Sequence, residues 1–180
     1  MAELSHYRKG GKVAMVDVSA KDTTTRTAVA HGFVKITKAA LAKIRKLDSP
    51  KGNPLEIARI AGISAAKRTS EWIPLCHPLY LGHIDVDARL CNAGVEITSR
   101  VSATAQTGVE MEALVAVSAA ALTVYDMCKA LDKGMEIQDV YLVEKRGGKS
   151  GDFFRADSAA SNSAKSSGRS RCKRNRQAGK

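Results

Sequence analysis

Four ionisable side chains stand at the two ends of one long apolar run: Glu110 and Glu112 near its start, Asp126 and Lys129 at its end. Carboxylates and lysines are proton-transfer groups, and a charge on a mostly buried helix is costly unless it is paired or used. Three of the four have a plain structural reading. Thr107, three residues before Glu110, matches a capping box and makes Thr107 the expected N-cap. Asp126 and Lys129, three apart, can pair with each other. Glu112 has no such partner in the pattern. His77 lies in the stretch IPLCHPL (73–79), after a predicted helix and before Pro78, on a rigid turn of the kind that often carries chemistry. A hydrogen-bonded structural histidine is the alternative. Adjacent Cys76 and His77 do not make a metal site, and HExxH, CxxC and HxH spacings are absent, so no metal ligands are assigned.

A second chemistry is suggested by KRGGKSGD (145–152). It contains Gly-Lys-Ser, but the position where a Walker A loop needs its first glycine is Val143, so a P-loop is excluded. A glycine-rich stretch can instead offer backbone N–H groups, with Lys145 and Lys149, to anionic oxygens; a solvated turn is the alternative. Lys51, Arg26 and the Lys67–Arg68 pair add further cations, and a polyphosphate site would gather several of them.

The elements that must position these groups follow from periodicity. MVDVS (15–19) is a short strand or an extended arm. TAVAHGFVKI (27–36) reads as a strand, with a bulge at Gly32. KAALAKIRKL (38–47) has the spacing of a surface helix, and SPKGNP (49–54) is a loop. A second helix is predicted from Leu55 to about Trp72, ending before Pro74. HIDVDARL (83–90) and GVEITSRVSA (94–103) alternate apolar and polar residues as a hairpin with one wet face, and EIQDVYLVEKR (136–146) is the last strand. Between them the long helix runs from Thr107 towards Gly134, a natural C′ residue, and is apolar on nearly every side from Ala113 to Tyr125. The architecture is α+β, an antiparallel sheet with helices packed on one face. One sheet does not surround such a helix, so its remaining side is expected to meet another subunit. Glu112 and Asp126 return to within about 40° of the same face but lie about 21 Å apart along the axis. If both are catalytic, the site combines helix ends from two subunits.

Composition sets the limits. Of 180 residues 44% are hydrophobic, enough for one core, and the net charge is +11. Seven basic residues and one acid lie beyond Ala156, in a segment rich in Ser, Ala and Gly with no large apolar side chain. Residues 156–180 are read as a disordered basic tail, 1–12 as a flexible start, and 13–155 as a single domain. The cysteines at 76, 91, 128 and 172 form no disulfide framework, which suits a cytosol. The start lacks the apolar core of a signal peptide, and the strongly apolar stretch of 13 residues between Glu112 and Asp126 is too short to span a bilayer, so a soluble, cytoplasmic protein is expected.

MVDVS, ARIAGISAAKRTSEWIPLCHPL, TGVEMEALVAVSAAALTVYDMCKA and EKRGGKSGD resemble, in order, the signature blocks of the cyclic pyranopterin monophosphate synthase family, the molybdenum cofactor biosynthesis C proteins. The resemblance covers roughly residues 13 to 153. It implies a ferredoxin-like α+β fold and a homohexamer, a trimer of dimers with sites at the dimer interfaces. It implies conversion of 3′,8-cyclo-7,8-dihydroguanosine 5′-triphosphate, a cyclic guanosine triphosphate derivative, into cyclic pyranopterin monophosphate and pyrophosphate. That rearrangement has no redox step and needs no cofactor, with Mg²⁺ on the triphosphate left open. By motif match, Lys51, His77, Glu110, Glu112, Asp126 and Lys129 are carried over as site residues: Asp126 and Lys129 for acid–base work, assisted by Lys51, with His77 in the pocket. Met111 and Glu112, with Leu75, Cys76 and His77, match the base-recognition segments. Arg26, Lys67, Lys145 and Lys149 are the candidates for the triphosphate. Asn53 stands where many relatives carry an acid, Trp72 replaces a smaller apolar residue, and the basic tail lies outside the pattern. Two rival readings remain: a nucleic-acid-binding protein working through the tail, which leaves Glu112, Asp126 and the apolar helix without a purpose, and a non-catalytic oligomeric scaffold.

Overall fold

Alternating apolar side chains form four long strands that lie side by side in one sheet. A computed structural model describes residues 6, 7, 10–46 and 53–156. In chain order the elements are β1 (Thr24–Lys35), α1 (Lys38–Ile44), α2 (Pro54–Ala66), α3 (Thr69–Trp72), β2 (His83–Leu90), β3 (Gly94–Ala105), α4 (Glu110–Cys128), β4 (Glu136–Arg146) and a short β5 (Phe153–Phe154). The sheet order is β2-β3-β1-β4-β5 and every neighbouring pair is antiparallel. The first four strands, with α2 and α4 between them, make the β-α-β-β-α-β plan of a ferredoxin-like fold, as expected. Residues 15–19 form no strand; they are part of an extended arm leading to β1. Behind it Tyr7 bridges Val13, and the Ala14 amide donates to the His6 carbonyl at 2.9 Å.

The core lies between one sheet face and α4. Ala28, Ala30, Val34, Ile97 and Val101 meet Ala113, Ala116, Val117, Ala120, Ala121 and Val124, all buried. The small residues let the helix approach closely. Gly32 is the tightest point, where an added Cβ would run into Val117 Cγ1. The expected bulge is there, though its extra residue is on the partner strand: Asp139 and Val140 of β4 both stand opposite Gly32, with Asp139 at φ 54°. Ser99, buried on the same face, donates its hydroxyl to the Ala113 carbonyl at 2.7 Å and ties the first turns of α4 to β3. α4 is long and apolar enough to cross a membrane by length and composition alone, but it packs as the core helix of the sheet.

Three sequence expectations change. The capping box is not formed: α4 begins at Glu110 with Val109 as N-cap and no side-chain cap, because Glu110 reaches across to Lys145 instead. Gly134 is not the C′ residue. The helix ends at Cys128, and the Gly134 amide donates to Asp132, whose other oxygen accepts from the Thr37 amide ahead of α1. The predicted Leu55–Trp72 helix is two helices. Buried Thr69 donates its hydroxyl to the Ala66 carbonyl, and the chain turns at Lys67 and Arg68 before one further turn, α3. At its start α2 has Pro54 in the first turn and the Asn53 side chain accepting from the Leu55 amide at 2.9 Å, so the asparagine is a working cap.

Candidate active site

Two cavities open side by side at the N-terminal end of α4, and Lys21, Thr107, Gly108 and Glu110 line both. The first, about 320 Å³, is walled by Val16 and Val18 of the arm, Leu75, Cys76 and His77 of the α3–β2 loop, and Met111 and Glu112 of α4. The second, about 960 Å³, is walled by Arg26 of β1, Lys145 of β4 and Lys149 of the following loop. The local chain explains the arrangement. α3 stops at Ile73 before Pro74, and the Cys76 amide donates to the Ile73 carbonyl at 3.0 Å, a turn that sets Leu75, Cys76 and His77 against the first turn of α4.

The first cavity mixes apolar walls, Val16, Val18, Leu75, Leu79 and Met111, with His6, His77, Lys21, Thr107 and two acids. Glu112 is only 4% exposed. Burial pushes its carboxyl up to about 7, helped by the Glu110 charge and opposed by its own backbone amide. Burial, and then the charge of Glu112, raises the Cys76 thiol. The thiol is therefore kept neutral, not activated as a nucleophile. A buried acid poised near neutrality can give or accept a hydrogen bond, which suits a flat heterocycle with mixed donors and acceptors.

The second cavity is cationic. Lys21, Arg26, Lys145 and Lys149 face it, against Asp22 and Glu110. Arg26 is fixed by donating to the Ala105 carbonyl at 3.3 Å and the Gln106 carbonyl at 3.4 Å. The backbone of Gly148 lies directly against its guanidinium, where any Cβ would collide. Lys145 donates to Ser150 Oγ at 2.8 Å and stands 3.5 Å from Glu110. Glu110 thus links the two halves. A cluster of fixed cations suits phosphate oxygens.

Of the sequence candidates, Leu75, Cys76, His77, Glu110, Met111, Glu112, Arg26, Lys145 and Lys149 line this double cavity. Asp126 and Lys129 do not. They sit at the other end of α4, about 21 Å along its axis from Glu112 by helical rise, as an exposed pair with Lys129 Nζ 2.6 Å from Asp126 Oδ1. The stripe of α4 between the two ends is partly bare: Ser118 is half-buried and Leu122 is 54% exposed. Lys67 is the exposed C-cap of α2 and lines neither cavity. Lys51 lies outside the described residues, as do residues 157–180 with the predicted basic tail. Among the described residues no three His, Cys, Asp or Glu side chains gather as a metal site. The sequence reading missed Lys21, Thr107 and Gly108. Lys21 lies two residues past MVDVS, and placing that stretch against the site as an extended arm, the second of its two readings, would have found it.

Comparison with known proteins places the chain in a group. The MoaC family model matches residues 15–148. A protein of Roseiflexus sp. (strain RS-1) is 54% identical over 155 residues, covering 85% of this chain and 98% of that protein. One from Novosphingobium aromaticivorans is 53% identical over 157 residues, 87% of this chain and all of that protein, and one from Corynebacterium efficiens is 54% identical over 153 residues, 85% and 99%. All three are named cyclic pyranopterin monophosphate synthase.

Proposed function

The chain belongs to the MoaC family and is a cyclic pyranopterin monophosphate synthase of molybdenum cofactor biosynthesis, and we propose that it works through a site completed by a second copy of itself. The substrate is nucleotide-derived. In this reading it is 3′,8-cyclo-7,8-dihydroguanosine 5′-triphosphate, rearranged to cyclic pyranopterin monophosphate with release of pyrophosphate. The purine-derived ring lies in the first cavity against Leu75, Cys76, His77, Met111 and Glu112, and the triphosphate in the second among Arg26, Lys21, Lys145 and Lys149.

The observation that carries the two-copy reading is the division of α4. Its N-terminal end lines the binding cavity, while Asp126 and Lys129, the pair assigned to acid–base work, stand exposed at the other end of a stripe that bares Leu122. Packing that stripe against a second copy covers the leucine and brings the pair to a neighbour's cavity. It also changes the lysine. On the single chain the Asp126 hydrogen bond raises Lys129, which stays charged. Burial at an interface pushes the other way, towards an amine that can both give and take a proton. Lys51 assists this pair, and Lys67 joins the phosphate end from the neighbouring chain. The full assembly in this reading is a hexamer built from such dimers. The rearrangement carries no redox step and asks for no redox cofactor; any Mg²⁺ arrives on the triphosphate as part of the substrate. A cytoplasmic location is part of the same reading, supported by Cys76, Cys91 and Cys128, free thiols of the kind a reducing compartment maintains.

The test is direct. Supplied with the cyclic nucleotide, the wild-type protein is expected to yield a product that oxidises to a fluorescent pterin. His77→Ala, which removes an imidazole from the cavity wall, is expected to keep the oligomer size by scattering while losing most turnover. Unchanged product formation by that variant would refute its place in the site.

A further inference from the structure

Resting on this reading of the phosphate end, we infer that Asp152, which lines neither cavity, is the residue that holds the glycine loop in its anion-binding form. The loop from Gly147 to Gly151 has three glycines at positive φ, 87°, 92° and 71° at positions 147, 148 and 151. Glycine enters that region without penalty and leaves it as easily, so the loop's shape depends on what fixes it. Its far end is anchored by β5, where Phe153 pairs with Lys145 and the Arg155 amide donates to the Val143 carbonyl at 2.9 Å. Asp152 stands at the start of that anchor and reaches back to the loop's first residue: its Oδ1 accepts from the Gly147 amide at 2.9 Å. The Gly151 amide closes the turn onto the Gly148 carbonyl at 3.1 Å.

A carboxylate is a poor direct ligand for a triphosphate, since like charges repel. The position of the loop gives Asp152 a different task. Gly147 packs on the Thr25 carbonyl so closely that a Cβ would not fit, and a Cβ on Gly148 would push the Arg26 guanidinium out of place. When the Gly147 amide is held, Gly148 stays on Arg26 and Lys149 stays at the cavity wall. When it is released, the phosphate end loosens while the base-binding cavity, on the other side of Thr107 and Glu110, is left as it was. Asp152 is thus a positioning residue for phosphate binding.

The experiment compares Asp152→Ala and Asp152→Asn in the full chain, by steady-state kinetics on the cyclic nucleotide and by calorimetric binding of inorganic pyrophosphate. The asparagine keeps a carbonyl acceptor for the Gly147 amide and discards the charge. Asp152→Ala is expected to raise KM and the pyrophosphate Kd about tenfold, the scale of one lost hydrogen bond, with kcat within about twofold and the thermal midpoint little changed. Asp152→Asn is expected to stay close to wild type in all four. An alanine variant with wild-type KM and pyrophosphate affinity overturns the inference, as does an asparagine variant as impaired as the alanine. Failure of the wild-type protein to form any pterin would fail the functional reading instead, and the pyrophosphate titrations would still decide the role of Asp152.

Discussion

Lys129→Ala is expected to lower kcat by about 10² to 10⁴, the range for loss of a positioned acid–base group, while leaving KM, pyrophosphate binding and thermal stability near wild type. Each part of this expectation has its own physical source. The groups proposed to bind substrate stand at the other end of α4 on each chain, so removing Lys129 leaves them in place. Within one chain its pairing with Asp126 is solvent-exposed, 57% and 70% for the two side chains, and exposed pairs contribute little to the stability of that chain. Only a group engaged in the transition state lowers kcat and kcat/KM together. A raised KM at constant kcat would instead make Lys129 a phosphate contact. A marked fall in the thermal midpoint would make it a structural ion pair.

Glu112→Gln is expected to lose activity and gain stability, the second by an amount that depends on pH. The folded carboxyl sits at about 7 against an ordinary 4.5. Below about pH 4.5 both folded and unfolded chains carry the proton, and Glu112 makes no pH-dependent difference. Between 4.5 and 7 the unfolded chain gives up the proton that the folded chain keeps, so stability falls as pH rises. Above 7 the loss is complete, on the order of 3 kcal/mol for a shift of this size. Glutamine has nearly the same shape and no proton to lose. Unfolding at fixed protein concentration should therefore show the variant indistinguishable from wild type near pH 4 and more stable at pH 8. A variant equally stable at both pH values would mean that the carboxyl is well solvated, and its assignment to the base-binding cavity would lose its electrostatic support. The parent enzyme, on this account, holds a destabilising acid in place because the substrate needs it.

The sequence was most legible where one strong local pattern acts alone. Ile84, Val86, Ala88 and Leu90 alternate without interruption, and β2 runs over those residues. The apolar length of α4 and the β4 range were equally plain. Errors arose where a distant residue competes with a local one. Thr107 and Glu110 have the spacing of a capping box, but Lys145, far along the chain, draws the Glu110 carboxylate away. At the end of α4 the Leu131 amide closes a tighter turn onto the Cys128 carbonyl, and beyond it Asp132 binds the Thr37 amide, a contact no local window contains. The break between α2 and α3 rests on one buried hydroxyl, Thr69. In the site, Leu75 to His77 and Glu112 were named together from the family resemblance, and the cavity joins them. Lys21 escaped because an extended arm has no periodicity to show which wall it lines. The distance between Glu112 and Asp126 was the most informative simple inference, since helical rise alone separates them too far for one small-molecule site.

The central claim, that each site draws its binding cavity from one chain and its acid–base pair from another, is tested by mixing two inactive variants. Glu112→Ala and Lys129→Ala, co-expressed and purified as one assembly, leave some sites with both groups intact. Random pairing across a two-fold interface predicts recovery of about a quarter of wild-type activity. Activity no higher than that of the two separate variants would contradict the shared site.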